Sequence, residues 1–169
     1  MKKIVTIVVV VMGLVLAGNS TKAQGKIGYI SLQELIPSMP EYKKADTALN
    51  DYQNALGQNF EDMKREYMEK DSLLQSKDTL KYTKAQLELK KREISDMVIK
   101  LQGWNQQAQQ LYQQKQQELI QPIQKKAVEA VQAVAKENGY AYVLTKEALL
   151  SSPPADDLLP LVKKKLGIK

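Results

Sequence analysis

Cysteine and histidine are both absent from this chain of 169 residues. The lack of cysteine excludes disulfide bonds, thiol nucleophiles and zinc or iron–sulfur sites with cysteine ligands. The lack of histidine removes the side chain that most often acts as a general base or a metal ligand near neutral pH. The remaining acids and bases are scattered along the chain, so we predict no catalytic residues, no metal site, no cofactor and no enzymatic activity.

Proline and glycine are scarce in the middle of the chain. Between Glu41 and Gln121 there is no proline, and Gly57 and Gly103 are the only glycines. The same stretch is rich in glutamine, lysine, glutamate, leucine and alanine, which are good helix formers. We therefore predict helical structure through this region of about 80 residues. Pro40 marks the start of the helical pattern, and Asn138 with Gly139 is a stop signal for the second helix.

Residues 1–23 have the pattern of a cleaved signal peptide. Lys2 and Lys3 precede an apolar run of about 14 residues, which is shorter than the roughly 20 needed to cross a bilayer. Thr21 and Ala23 place small residues where a signal peptidase would cut; an uncleaved signal anchor is the alternative. The mature chain would keep 22 basic and 19 acidic residues, a net charge of +3. The absence of cysteine suits a protein exported to the periplasm, because free thiols are oxidised in that compartment.

Apolar residues in the helical region recur every three or four positions, in two successive runs. The first run includes Tyr52, Leu56, Phe60, Met63 and Tyr67, and the second includes Met97, Leu101, Trp104 and Leu111. This spacing is typical of a coiled-coil seam. The pattern is weakest at residues 76–80, where Asp78 or Thr79 is suited to cap a second helix. We predict a hairpin of two antiparallel helices, with one uninterrupted helix as the alternative.

A turn near residues 78–80 also predicts which residues of the two helices face each other. Leu56 should lie opposite Trp104, and Phe60 should lie opposite Leu101. This register assumes that facing residue numbers sum to about 160, as they do for a symmetric hairpin with that turn.

Three helix-weakening residues mark candidate joints in the hairpin. In the predicted register Gly57 and Gly103 fall at the same level, where each would weaken its helix by roughly 1 kcal/mol relative to alanine. Such a pair predicts a soft joint, with chance coincidence as the alternative. Pro122 lies near the base of the second helix and should bend that helix without ending it.

The two ends of the mature chain each carry a strand candidate. The candidate strands are residues 26–32 and 141–145, with Ile27, Tyr29, Ile30, Tyr142, Val143 and Leu144 as their large apolar residues. A last short helix is predicted to begin near Asp156. The chain is therefore predicted to be α+β and mainly α, with a small β body (residues 24–40 and 122–169) and a helical arm (residues 41–121).

Self-association is indicated by two deficits in the predicted fold. The seam between the helices is thin, because several of its positions hold alanine, tyrosine or methionine, and two such helices are marginally stable alone. Two strands also fall short of an independently stable sheet. Strands from several copies would complete a shared body.

Four segments near the two ends of the mature chain carry a family resemblance. Residues 26–32 (KIGYISL) and 39–43 (MPEYK) open the chain, and residues 135–144 (AKENGYAYVL) and 157–162 (DLLPLV) close it. With these segments, nearly all of residues 26–169 resembles the Skp/OmpH family of periplasmic chaperones. The central helices contribute little to the resemblance, because many coiled coils are similar to them.

The resemblance implies a jellyfish-like homotrimer in the periplasm of a Gram-negative bacterium. Three helical arms would hang from a shared β body and enclose unfolded outer-membrane β-barrel proteins without using ATP. Anionic lipid or lipopolysaccharide is implied as a transient further partner, although no basic cluster of this chain matches a known binding motif. The small excess charge of the mature chain predicts that apolar contact, rather than charge, dominates the binding of these unfolded proteins.

Two other functions are alternatives to the chaperone function. A structural spacer or adaptor of the cell envelope would need a firm leucine and isoleucine seam, which this sequence lacks. A nucleic-acid binder is disfavoured by the export signal and by the mixed charge.

Overall fold

The computed structural model describes residues 25–76 and 81–168, so the predicted signal peptide and the residues at the predicted turn lie outside the described part. The elements in chain order are β1 (Lys26–Ile30), α1 (Leu32–Ser38), α2 (Pro40–Gln75), α3 (Lys84–Glu137), β2 (Tyr140–Thr145), two 3₁₀ turns (Lys146–Ala148 and Pro154–Asp156) and α4 (Leu159–Lys165). The predicted class, mainly α with a helical hairpin and a small β element, is confirmed.

Helix α2 begins where the proline pattern predicts a helix start. Pro40 occupies the first helical position, where its missing N–H is not needed. The helix runs for 36 residues and ends at Gln75. Because α2 ends there and α3 begins only at Lys84, the alternative of one uninterrupted helix is wrong.

A capping box opens helix α3. The Gln86 N–H donates to Thr83 Oγ1 (3.3 Å), and the Thr83 N–H donates to Gln86 Oε1 (2.9 Å). This reciprocal pair satisfies two N–H groups that the first helical turn leaves free. The helix thus begins at Lys84, whereas the predicted caps Asp78 and Thr79 lie outside the described residues.

Two ion pairs show that α2 and α3 run antiparallel. Lys70 bonds to Glu93, and Lys126 bonds to Glu41. The predicted register would instead place residue 70 opposite residue 90 and residue 126 opposite residue 34. The helices are thus displaced from that register by about one helical turn at the first pair and about two at the second.

Two prolines lie inside helices without ending them. Helix α1 includes Pro37, and the Ser38 hydroxyl caps it by donating to the Leu35 carbonyl oxygen (2.6 Å). Helix α3 continues through Pro122, as predicted. It ends before Gly139, whose φ of +72° favours glycine and confirms the predicted stop signal.

The described residues cluster into two compact units. The arm unit is Gln33–Glu129, and the body unit is residues 25–32 with Ala130–Gly167. Residues 33–40 and 122–129, which the sequence assigned to the body, thus cluster with the long helices. The buried apolar residues of the arm unit are Leu35, Met39, Ala45, Leu49, Leu56, Ile123 and Ala127.

The body unit contains a two-stranded parallel sheet. Ile27 pairs with Tyr142, and Tyr29 pairs with Leu144. On the other side of β1, the Leu158 N–H donates to the Tyr29 carbonyl oxygen (2.9 Å). The buried apolar residues of this unit are Tyr29, Ile30, Ala130, Val131, Val134, Tyr140, Leu158 and Val162.

The C-terminal helix forms close to the predicted place. Helix α4 begins at Leu159, whose N–H donates to the Asp157 carboxylate (2.8 Å), and a 3₁₀ turn ends at Asp156. Lys165 pairs with Glu137 at 2.5 Å. In the described ranges, no helix combines the length and apolar character needed to cross a bilayer.

Candidate functional site

The predicted seam residues lie along the two long helices and are only partly covered. Leu56 is buried at 7% exposure, whereas the others are half-buried. The half-buried members of the predicted seam are Tyr52, Phe60, Met63, Tyr67, Met97, Leu101, Trp104 and Leu111. Part of each of these side chains therefore packs within the protein, and the rest is accessible to a binding partner.

One surface cavity, here called the aromatic cleft, opens between α2 and α3. Its apolar walls are Leu56, Phe60, Trp104, Ala108 and Tyr112, and its volume is about 430 Å³. The cleft thus gathers the only phenylalanine and the only tryptophan of the chain.

The rest of the lining of the aromatic cleft is uncharged. Gln53, Asn105 and Gln109 supply side-chain amides. Gly57 also lines the cleft, and a Cβ placed there would meet nothing within 4 Å. Binding pockets are commonly apolar and aromatic with a few polar groups that fix orientation, which is the composition found here.

A second cavity, here called the acidic cleft, also includes Trp104. It is lined by Asp62, Glu66 and Glu69, and its volume is about 570 Å³. Two of these carboxylates are already paired: Asp62 with Arg65 at 2.5 Å and Glu66 with Lys70 at 2.7 Å. The acidic cleft therefore offers less free charge than its composition suggests.

Lys70 bridges the two long helices by contacting Glu66 on α2 and Glu93 on α3. The hydrogen bond from Lys70, followed by its positive charge, lowers the pKa of Glu93. The hydrogen bonds to Glu66 and then Glu93 raise the pKa of Lys70. All three side chains are at the surface, where ion pairs contribute little to the free energy of unfolding. The bridge therefore mainly sets the position of α2 against α3.

Replacing Lys70 with methionine should raise the pKa of Glu93 toward its ordinary value. The favourable contribution of the Glu93 carboxylate is present above its ordinary pKa and disappears as pH falls through the lowered pKa. Carboxyl chemical shifts followed by NMR through an acid titration would measure this change. Lys91→Met is the matched control, because Lys91 approaches Glu88 instead; an equal shift of Glu93 in both variants would contradict the assignment.

Of the two glycines predicted as joint residues, Gly57 lines the aromatic cleft and Gly103 does not. Gly57 lines the aromatic cleft with Trp104 and Ala108, so it faces the turn of α3 that follows Gly103 rather than Gly103 itself. A Cβ at Gly103 would also meet nothing within 4 Å. Packing therefore does not require glycine at either position.

The strand residues divide between the interior and the surface of the body unit. Tyr29 and Ile30 are buried, and Val143 is half-buried. Ile27, Tyr142 and Leu144 are exposed at 54%, 67% and 42%. Ile27 and Tyr142 are strand partners, and Leu144 follows Tyr142 by two residues, so the three share one face of the sheet with Tyr29, the buried partner of Leu144.

The described residues include no group of three or more side chains suited to hold a metal ion.

Comparison with models of protein families shows the family to which the chain belongs. The model of the family described as outer membrane protein (OmpH-like) matches residues 26–166. This chain belongs to the OmpH-like family. The resemblance found in the terminal segments is therefore confirmed, and the match extends through the central helices.

A solved structure shares the fold of this OmpH-like chain. It is the crystal structure of a protein from Caulobacter crescentus CB15 that is named as a candidate outer membrane chaperone, OmpH-like. The TM-score is 0.68, the identity is 17%, and the alignment covers 85% of each chain. No curated protein matches the sequence at a significant level.

Sequence reasoning missed the full composition of the aromatic cleft in this OmpH-like chain. Tyr112 lies one helical turn after Ala108, so its helical spacing could have identified it as part of the same face. Gln53, Asn105 and Gln109 gave no comparable signal, because exposed amides are common along α3. Their grouping depends on the register between the helices, which the predicted turn misplaced.

Proposed function

We propose that this protein is an ATP-independent chaperone of the periplasm of a Gram-negative bacterium. It binds unfolded outer-membrane β-barrel proteins and keeps them from aggregating during their transit to the outer membrane. The observation that carries the proposal is the partly exposed apolar and aromatic surface between α2 and α3, in a chain of the OmpH-like family.

The chemistry of that surface suits such clients. An unfolded β-barrel protein exposes alternating apolar residues and unpaired strand edges, which aggregate readily. Tyr52, Met63, Tyr67 and Met97 are half-buried, so parts of adaptable side chains remain in reach of a client. Many weak contacts of this kind tolerate varied client sequences and permit release without an energy source.

The proposed assembly is a homotrimer built through the body strands. The exposed sheet face of Ile27, Tyr142 and Leu144 is a surface that further strands or copies can cover. Because a lone two-stranded sheet is marginal in water, association would stabilise it. We further propose that Gly57, Gly103 and Pro122 let the arm adapt to clients of different size, since each weakens its helix.

Transient contact with anionic lipid or lipopolysaccharide is a second element of the proposal. The mature chain carries a small excess of positive charge, and three lysines occupy the last turn of α4. Such charge attracts anionic surfaces weakly and is screened by salt.

A dilution experiment tests the proposed function. A urea-unfolded outer-membrane β-barrel protein is diluted into buffer with or without residues 24–169, and light scattering and sedimentation are recorded. We expect a trimer that holds one client in solution in the absence of ATP. Precipitation of the client at the same rate in both samples would reject the chaperone function.

Replacing Ile27 with aspartate should dissociate the assembly. The added carboxylate would lie on the exposed sheet face, and burying an unpaired charge in an interface carries a large free-energy penalty. Sedimentation equilibrium should therefore report a mass close to that of one protomer. Leu150→Asp is the control, because Leu150 lies fully exposed in a loop; a trimer that survives Ile27→Asp would refute the assigned interface.

A further inference from the structure

We infer that the aromatic cleft is a binding pocket for one aromatic side chain of an extended, uncharged client segment. The inference rests on the proposed function and deepens it, because it assigns a recognised chemical group to one place on the arm unit. The cleft lies entirely within residues 53–112, so it belongs to a single unit.

The walls of the cleft favour an aromatic occupant. Phe60, Trp104 and Tyr112 are each half-buried, so part of every ring is open to the cavity. Aromatic rings attract each other in offset or edge-to-face arrangements beyond the effect of area alone. Leu56 is buried and closes the cleft with an aliphatic surface.

The size of the cleft fits one side chain with adjoining backbone. Its volume of about 430 Å³ lies in the lower part of the range found for small-ligand pockets, about 300–1,000 Å³. Gly57 lines this space, and a Cβ at that position would meet nothing within 4 Å, so a larger side chain can be introduced there without a clash.

The polar lining favours an uncharged segment. Gln53, Asn105 and Gln109 present amides that both donate and accept hydrogen bonds, as the backbone of an extended peptide does. No charged residue lines the cleft, and none occurs between Leu101 and Gln114 on α3. A charged client side chain would lose hydration there without gaining a partner.

Aromatic side chains are a recurrent feature of the proposed clients. Membrane β-barrels carry girdles of aromatic residues on strands that alternate apolar and polar side chains. A client segment of this kind would place one ring in the cleft while its neighbouring residues point away.

The single tryptophan of the chain provides a direct measurement. The probe is a blocked, uncharged heptapeptide that alternates threonine and valine around a central phenylalanine. The control peptide has alanine in place of the phenylalanine. We expect the phenylalanine peptide to shift the Trp104 emission to shorter wavelength in a saturable manner. The alanine peptide should cause no saturable shift; no shift with either peptide, or equal shifts with both, would overturn the assignment.

Two matched variants localise the response. Gly57→Leu should fill the cleft and weaken peptide binding by at least about tenfold. Gly103→Leu makes the same chemical change on the other helix, outside the cleft lining, and should leave binding within about twofold. Both changes favour helix formation, so circular dichroism should confirm that both variants fold. Equal loss in both variants, or no loss in Gly57→Leu, would overturn the inference.

The same variants separate this pocket from the acidic cleft and from the proposed function. Trp104 lines both clefts, but Gly57 lines only the aromatic one, so the Gly57→Leu result distinguishes them. If the wild-type chain keeps the β-barrel protein soluble but does not bind the phenylalanine peptide, the pocket assignment alone fails. If it binds the peptide but lets the β-barrel protein precipitate, the chaperone proposal fails and the pocket stands.

Discussion

Replacing Leu158 with alanine should lower the free energy of unfolding by about 2–5 kcal/mol. Leu158 has no exposed surface and is among the largest fully buried side chains of the described residues. Its truncation removes apolar contacts and leaves a cavity that the neighbouring elements fill only in part. A small domain is stable by about 5–15 kcal/mol, so a loss of this size would be a large fraction of the total.

Urea unfolding followed by circular dichroism would measure the Leu158→Ala effect. The protein concentration must be held constant, because the proposed association of copies would contribute to apparent stability. Leu150→Ala is the control, since the Leu150 side chain is fully exposed and its loss should change stability by no more than about 0.5 kcal/mol. Similar unfolding midpoints for both variants would mean that Leu158 does not anchor the body unit.

Replacing Gly28 with alanine should destabilise the body unit by about 1–3 kcal/mol or more. A Cβ on Gly28 would lie 2.2 Å from Leu158 Cδ1 and 2.8 Å from two ring carbons of Tyr140. These distances are far below van der Waals contact, so the leucine, the ring or the strand must move. Gly57→Ala is the control: its Cβ meets nothing, and the helix should gain about 1 kcal/mol.

The two substitutions should compensate for each other when combined. Shortening Leu158 removes the atom that lies closest to the new Cβ on residue 28. The double variant should therefore lose less stability than the sum of the single losses, with a coupling of about 0.5–3 kcal/mol. Strict additivity in urea unfolding would show that Gly28 and Leu158 do not meet as described.

Local signals in the sequence predicted most of the helical structure. Pro40 predicted the start of α2, and Gly139 predicted the end of α3, because both residues act through their own backbone geometry. The start of α3 was missed although the pattern Thr83–Gln86 was visible as a capping box.

Contacts between distant residues were less predictable. The register of α2 against α3 depends on the path of the turn and on the Lys70 and Lys126 ion pairs, none of which periodicity determines. Periodicity predicts Phe60 and Trp104 as seam residues, but the cleft that they line also includes Tyr112 and three amides. The tight approach of Leu158 to Gly28 could not be predicted, because these residues lie far apart in the chain.

The parallel pairing of β1 with β2 has a consequence for the order in which the protein folds. Gly28 pairs with Val143, so the sheet closes a loop of more than a hundred residues. Closing so long a loop carries an entropic penalty, whereas α2 and α3 form mostly from neighbouring residues. The first strand can therefore pair only once Tyr140–Thr145 is available. The helical part of the chain can form first, and the sheet completes the body unit only after residues 140–145 have joined it.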